Sequence, residues 1–509
     1  MAKIDPQEQW KLLIGGEWVE TAGTYPVVNP YTTETVGNAP EATLSEAADA
    51  VAAAREALDG WKNTSIDQRC YLLGKLADVL EQKTPEWVDL VQAETGSTIN
   101  ITETLQVAGG FIDRFRYYSK PQRIDSSELP VKQAATALGP AGLVAASVYH
   151  QPVGVVLCIT PYNFPLTNVA GKIAPALTMG NTCIIKPAPQ DPLGILRLGE
   201  AINEAGFPPG VINIVTSSGP EVPAAMVASK GVNMVSFTGS TSVGKSIYES
   251  GASTMTRVLM ELGGKGALIM TEDASVDAAM GAIASVWGFH SGQICTAPTR
   301  VICHRSIYGQ TVETLSAVAG MLKIGDPRER DTLVGPLISE QQRDNVENFV
   351  SSGVESGAKL VCGGQRPDEQ GYFVAPTLLA DCTTDMHVVR EEAFGPVVVV
   401  MPHDDDEQAI EMANDSDYGL FSYVYAGDTA RAHQIAKSLE SGNVALNSIQ
   451  PHMEAPFGGF KMSGIGRDRG TWGLRAYSEL QAISWLSLIH ISEPTRPRLI
   501  SYAVFCLKK

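Results

Sequence analysis

Two residues of a type that could handle a carbonyl stand in glycine-loosened surroundings. Cys295 closes the stretch Gly288-Phe289-His290-Ser291-Gly292-Gln293-Ile294-Cys295-Thr296, and Glu261 opens Glu261-Leu262-Gly263-Gly264-Lys265, with a short helical segment between them. A thiolate attacks a carbonyl carbon, and a carboxylate can deprotonate the water that later hydrolyses a thioester. A cysteine taken at random is more often a small buried hydrophobe than a nucleophile, so the weight rests on this pairing. Three further loops follow apolar strand-like runs: Pro161-Tyr162-Asn163-Phe164-Pro165, Lys186-Pro187-Ala188-Pro189 and Thr238-Gly239-Ser240-Thr241-Ser242-Val243-Gly244. An asparagine between prolines, such as Asn163, is commonly a turn residue. Gly239 to Gly244 would open a helix whose free N–H groups suit an anion. It is not a GxGxxG fingerprint, and on spacing alone a plain strand–turn–helix is equally good.

The elements that must position these residues are legible as alternating strands and helices. Val155–Thr160, Cys183–Lys186, Val211–Val215 and Met234–Phe237 read as strands; 167–179, 193–204 and 243–251 read as helices. Such alternation predicts a parallel sheet with ligands at the carboxyl ends of its strands. Upstream, Thr43-Leu44-Ser45-Glu46 is a capping-box pattern opening an Ala-rich helix to about Trp61, and Ser65 opens another. A second α/β unit begins near Asp273 with a helix to Trp287. It carries Glu391-Glu392-Ala393-Phe394-Gly395-Pro396, and Pro456–Gly464 reads as a glycine-rich surface loop. The polar, weakly alternating run 127–150 predicts a protruding β-ribbon, which the short strand 476–483 could join and a partner subunit could cover.

Bulk properties narrow the class. The 509 residues exceed one ordinary core, and a formal charge of −18 disfavours nucleic acid and anionic membranes as partners. Eight cysteines, at 70, 158, 183, 295, 303, 362, 382 and 506, form no CxxC and sit near no histidine pair. A reducing compartment, no disulfide framework and no metal site are expected, hence a cytoplasmic protein. No export signal and no membrane-spanning stretch is read. From Leu486 the character changes abruptly, and LSLIHISEPTRPRLISYAVFCLKK resembles an in-frame translation of a sequencing-library adaptor. Residues 486–509 are therefore set apart as non-native.

Taken together, the loops resemble the aldehyde dehydrogenase superfamily from about Leu12 to Trp485. The markers are Pro161–Pro165, Phe237-Thr238-Gly239-Ser240-Thr241, Glu261–Lys265, Gly292–Cys295, Glu392–Pro396 and Pro456–Gly464, six motifs in family order. The resemblance implies an α/β fold with a Rossmann-like coenzyme domain (1–126 and 151–262), an α/β catalytic domain (263–465) and a small β-ribbon for oligomerisation (127–150 and 476–485). It implies an NAD(P)-dependent, non-acylating oxidation of an aldehyde to the acid by a homodimer or homotetramer. Cys295 would be the nucleophile, Asn163 with the Cys295 N–H the oxyanion hole, and Glu261 the base that activates water. Nothing in the sequence shows what lowers the Cys295 pKa. The coenzyme, NAD or NADP with NAD slightly favoured, would be held by Lys186, by Gly239, Ser240, Thr241 and Gly244, and by Glu392 and Phe394, with Tyr162 and Leu262 beside them.

Two departures bear on specificity. Three residues after Lys186, where many NAD-preferring relatives have a glutamate, stands Pro189, which leaves NADP use open. Position 171, a tryptophan or an arginine in some relatives, is Gly171. A fairly wide tunnel without a carboxylate clamp is expected there, lined by Phe164, Phe289, Ile294, Thr296 and Phe457 and suited to aromatic or medium-chain aldehydes. The competing readings are an acylating dehydrogenase, which generally lacks the glutamate, a catalytically silent protein of the same fold, and a cysteine hydrolase, for which only His290 lies close in sequence.

Overall fold

A computed structural model describes residues 4–120, 127–134, 142–367 and 370–487. The chain divides into two compact units, one of residues 1–122 and 152–477, the other of 123–151 and 478–509. The tail set apart in the sequence lies outside the described residues from 488 onward.

The larger unit holds two sheets. The first has eight strands in the order Glu17–Val19, Leu12–Ile14, Ile212–Ile214, Thr182–Lys186, Val155–Ile159, Met234–Thr238, Arg257–Glu261, Gly464–Ile465. Its five central strands are parallel. Chain order runs outward in one direction from Val155–Ile159 and returns on its other side at Met234–Thr238. That reversal is a topological switch point, where a crevice opens beyond the strand ends. The loops beginning Pro161 and Gly239 leave the two strands flanking it.

The second sheet has seven strands, ordered Lys359–Cys362, Thr377–Ala380, Val397–His403, Arg300–His304, Ala267–Met270, Phe421–Tyr425, Asn443–Leu446. Only the Lys359–Cys362 edge is antiparallel. Arg257–Glu261 ends the first sheet's parallel set, and after Leu262–Gly266 the chain enters Ala267–Met270 of the second. Glu261 therefore sits where one sheet hands over to the other.

The expected strands and helices of 155–251 are present with ends shifted by a residue or two. Thr43 and Glu46 form the reciprocal cap of helix Leu44–Lys62, and Ser65 accepts from the Gln68 N–H at the start of Ile66–Gln82. Sequence reading passed over the hairpin Gly23–Val28/Thr35–Glu41 and the helical run from Thr84 to Tyr118. That run contains an eleven-residue π-helix, Thr102–Ile112, whose Thr167 neighbour donates to the Gln106 carbonyl at 3.2 Å. Pro456–Gly464 is more than a surface loop. Ser463 is fully buried, Phe457 nearly so, and Gly464–Ile465 pairs with Met260 and Glu261.

The smaller unit is a three-stranded sheet, Ser478–Ser487, Gly142–Pro152 and Ser127–Ala134 in that order. Among the described residues no helix is long and apolar enough to cross a membrane.

Candidate active site

Cys295 sits on a turn that is held under backbone strain. Helix Val276–Gly288 ends, and His290, Ser291 and Gly292 follow with φ of 53°, 53° and 77°. A non-glycine residue in this region costs about 1–3 kcal/mol, so surrounding contacts must over-determine the turn. Ser291 Oγ donates to the Gly335 carbonyl at 2.6 Å. Gln293, fully buried, accepts from the Ile338 N–H at 3.0 Å and donates to the His290 carbonyl at 3.3 Å. The Asn163 side-chain amide donates to the Gln293 carbonyl at 2.8 Å, which ties the first sheet's loop to the cysteine turn and leaves the amide a second hydrogen to offer.

Burial disfavours the charged form of both Cys295 and Glu261. The half-buried Cys295 thiol is pushed up to about 12, first by burial and then by the carboxylates of Glu392 and Glu261; Arg469 and a backbone N–H oppose this. Glu261 is 4% exposed, neither of its oxygens has a hydrogen-bond partner, and burial holds its carboxyl well above the usual range. Asp468 adds to that rise, while Lys172, Arg469 and Arg467 work against it. Gly458, at φ 153°, lies so close that an added Cβ would stand 2.8 Å from Glu261 Oε1. His290 is buried with its Nε2 unpartnered and is pushed down to about 4, which keeps it neutral. It packs edge-on to Phe164 and offers no general base to the thiol.

A cavity of about 630 Å³ opens onto Cys295. Of the residues expected to hold coenzyme, Tyr162, Gly239, Ser240, Leu262, Glu392 and Phe394 line it, as does Asn163. Glu392 accepts from the Gly264 N–H at 3.0 Å and burial lifts it to about 7. A Cβ at Gly263 would stand 2.6 Å from Glu392 Oε2, so only glycine allows this approach. Tyr162 and Phe394 meet edge to face at 5.9 Å. Lys186, Thr241 and Gly244 are not among the lining residues. Lys186, 4% exposed, donates to its neighbour Pro187's carbonyl at 2.7 Å, and burial pushes it down to about 8. Thr241 accepts from the Gly263 N–H at 3.4 Å. Gly244 admits Leu262, whose Cδ2 would be 2.5 Å from an added Cβ.

The opposite wall came from elements that sequence reading left without a role. Gln342, Asn345, Phe349 and Ser352 line the cavity from one face of helix Glu340–Glu355, and His387 stacks on Phe349 at 4.8 Å. Gln342 donates to the Ala393 and Phe394 carbonyls at 3.0 and 2.9 Å. Their helical spacing was the available signal.

Of the residues expected to line a substrate tunnel, Phe164 and Phe289 stack at 5.9 Å. Ile294 and Cys295 pack against the buried cluster that includes Phe457, and the Thr296 carbonyl accepts from Tyr423 at 2.7 Å. Gly171 departs from expectation. The space beside it is neither open nor uncharged, because an added Cβ would stand 2.5 Å from Arg114 Nη1 and 3.6 Å from Asp468 Oδ2. Arg114 arrives from helix Asp113–Tyr118, which the sequence reading had not connected with the site.

Comparison with known proteins agrees with this geometry. Residues 18–483 match the Aldehyde dehydrogenase family. Human retinal dehydrogenase 2 is 38% identical over 482 residues, covering 93% of this chain and 91% of the relative. An NAD+ complex of aldehyde dehydrogenase from Bacillus cereus superposes with a TM-score of 0.89 at 37% identity, covering 94% of this chain and 97% of that one. An aldehyde dehydrogenase from Pseudomonas syringae, solved with NAD+ and octanal, gives 0.88 at 33% identity, covering 94% and 98%. The chain belongs to the aldehyde dehydrogenase family.

Proposed function

We propose that this protein oxidises an aldehyde to the carboxylic acid with NAD(P)+ as hydride acceptor, through a thiohemiacetal and then a thioester on Cys295. The observation that carries the reading is that Cys295 and Asn163 line one cavity while the unpartnered Glu261 carboxyl lies within electrostatic reach of Cys295.

Cys295 Sγ, on losing its proton, adds to the aldehyde carbon. The charge that develops on oxygen is met by the free Asn163 N–H and the Cys295 backbone N–H; loss of one such donor typically costs about 3 kcal/mol. The coenzyme, when bound, supplies a cationic hydride acceptor beside the thiol. Glu261 then takes a proton from water, the water oxygen bonds to the thioester carbon, and the C–S bond breaks to release acid and thiol. Gly458 keeps the Glu261 carboxyl free of side-chain cover on one flank. Because burial raises the Glu261 carboxyl above the usual range, its base function should grow as pH rises through that raised pKa.

The cavity suits a dinucleotide. Glu392 would hold the ribose hydroxyls, Leu262 and Phe394 would supply apolar walls, and Gly239 with Ser240, the cap of helix Thr241–Gly251, would present that helix's N-terminus to phosphate. Lys186, Thr241 and Gly244, which do not line it, would hold parts of the coenzyme that reach beyond it. Pro189 cannot accept hydrogen bonds from ribose hydroxyls, so both NAD and NADP are accepted, NAD somewhat better. The stacked Phe164–Phe289 pair and Phe457 favour an aromatic or medium-chain aldehyde, and the octanal-bound relative supports the same choice. In this reading 1–126 and 151–262 bind coenzyme, 263–465 carry the catalytic residues, and the ribbon 127–150 with 476–485 joins subunits as a homodimer or homotetramer.

The test is nicotinamide absorbance on mixing the protein with benzaldehyde or hexanal and NAD+ or NADP+, with Cys295→Ala as control. Turnover abolished in the control is expected. A folded, coenzyme-binding protein that turned over no aldehyde would overturn the reading.

A further inference from the structure

The residues around Gly171 assemble positive charge that the chain itself does not neutralise. Arg114 occupies the space beside Gly171, and its Nε is buried without a hydrogen-bond partner. Arg469, with an unusual φ of 68°, lays its guanidinium over the Phe457 ring at 4.0 Å. Phe457 belongs to the cluster against which Ile294 and Cys295 pack, and Arg469 lies within electrostatic reach of both Cys295 and Arg114. Neither guanidinium makes an ion pair or a side-chain hydrogen bond among the described residues.

Asp468 lies close to both, and its Oδ1 accepts the Arg469 backbone N–H at 2.7 Å. Glu261 is a second carboxyl within electrostatic reach of Arg469, and burial disfavours its charged form. Lys172, 1% exposed and bonded to Ser236 at 3.3 Å, adds a third basic group behind the same helix face. Two guanidiniums thus stand without an ion pair among the described residues, inside a chain whose formal charge is −18. Partly desolvated guanidinium groups are costly unless an anion pairs with them, and their planar fork suits a carboxylate.

We infer that Arg114 and Arg469 recognise a carboxylate on the substrate at the end remote from its aldehyde. The substrate class is an aldehyde acid with an aromatic or medium-chain body, its formyl group at Cys295 and its anion between the two arginines. This rests on the proposed aldehyde oxidation and names its substrate.

The test compares kcat/KM for matched pairs, benzaldehyde with para-carboxybenzaldehyde and hexanal with adipic semialdehyde. The wild type should prefer the carboxylated member by about tenfold or more, the scale of one charge-assisted contact. In Arg114→Gln and Arg469→Gln that ratio should fall toward one, mainly through KM, and Arg114→Lys should recover part of it. Equilibrium binding of the same pairs to the coenzyme-loaded Cys295→Ala protein reads the preference without turnover. Turnover of neutral aldehydes with no carboxylate preference in the wild type, or a preference that both glutamine variants keep, would overturn the inference and leave aldehyde oxidation standing. Absence of turnover with every aldehyde, together with equal binding of both members, would remove both.

Discussion

The thiol and the carboxyl that the proposed chemistry needs as anions both have their pKa raised, and in each case burial is the largest cause. Glu392 is the second influence on Cys295, and it raises the thiol pKa because a neighbouring negative charge disfavours a thiolate. Glu392 itself is lifted only to about 7, so it is ionised throughout the range in which the thiol titrates. Glu392→Gln should therefore lower the thiol pKa. Iodoacetamide alkylation of coenzyme-free protein, followed against pH, should show its midpoint moved to lower pH; a midpoint unmoved or moved upward would contradict the electrostatics. Cys295 and Glu261 stood out in the sequence as chemically apt types near glycine-rich stretches, and Asn163 through the family resemblance. Their protonation did not, since it depends on side chains such as Glu392, Arg469 and Asp468 that only folding brings near.

At the scale of elements, the cysteine turn and the Glu261–Gly266 crossing between sheets act as one positioning device. An added Cβ at Gly264 would fall onto the Cys295 carbonyl, a backbone atom with no side-chain freedom to yield. A displacement of about 1 Å near reacting atoms costs on the order of a hundredfold in rate. Gly264→Ala should therefore lower kcat/KM by about that factor while circular dichroism shows an intact fold; near wild-type turnover would show that the crossing does not set the geometry. The strands and helices of 155–251 were readable because short apolar runs alternate with amphipathic ones and end in Gly- or Pro-marked loops. Helix Glu340–Glu355 was readable as a helix, but not as a cavity wall. Its Gln342, Asn345 and Ser352 resemble an ordinary polar face until the switch-point crevice lies opposite. The π-helix Thr102–Ile112 carries no periodic signal of its own, and Arg114 just beyond it was accordingly overlooked.

For the whole molecule, the ribbon unit exposes apolar side chains that a lone small sheet has no means to bury. Leu129 is 49% exposed, Val131 55%, Leu480 67% and Trp485 38%. Exposed apolar residues on sheet edges mark a surface for a partner, and a second copy of the chain is the partner the family reading supplies. Leu129→Lys combined with Leu480→Lys should shift the assembly to a lower mass in light scattering; an unchanged mass would place the subunit contact elsewhere. The ribbon was anticipated from its weak polar alternation, and its third strand from the run after Ala476, whereas the sheet-to-sheet crossing at Glu261 could only be seen in three dimensions. The central claim is that Cys295 carries the acyl group and Glu261 directs its hydrolysis. Intact-protein and peptide mass measurement of Glu261→Gln after mixing with benzaldehyde and NAD+ tests it most directly. The expected result is one rapid equivalent of reduced coenzyme and a benzoyl group on the Cys295 peptide. Steady turnover at the wild-type rate, or an acyl group found on any other residue, would contradict it.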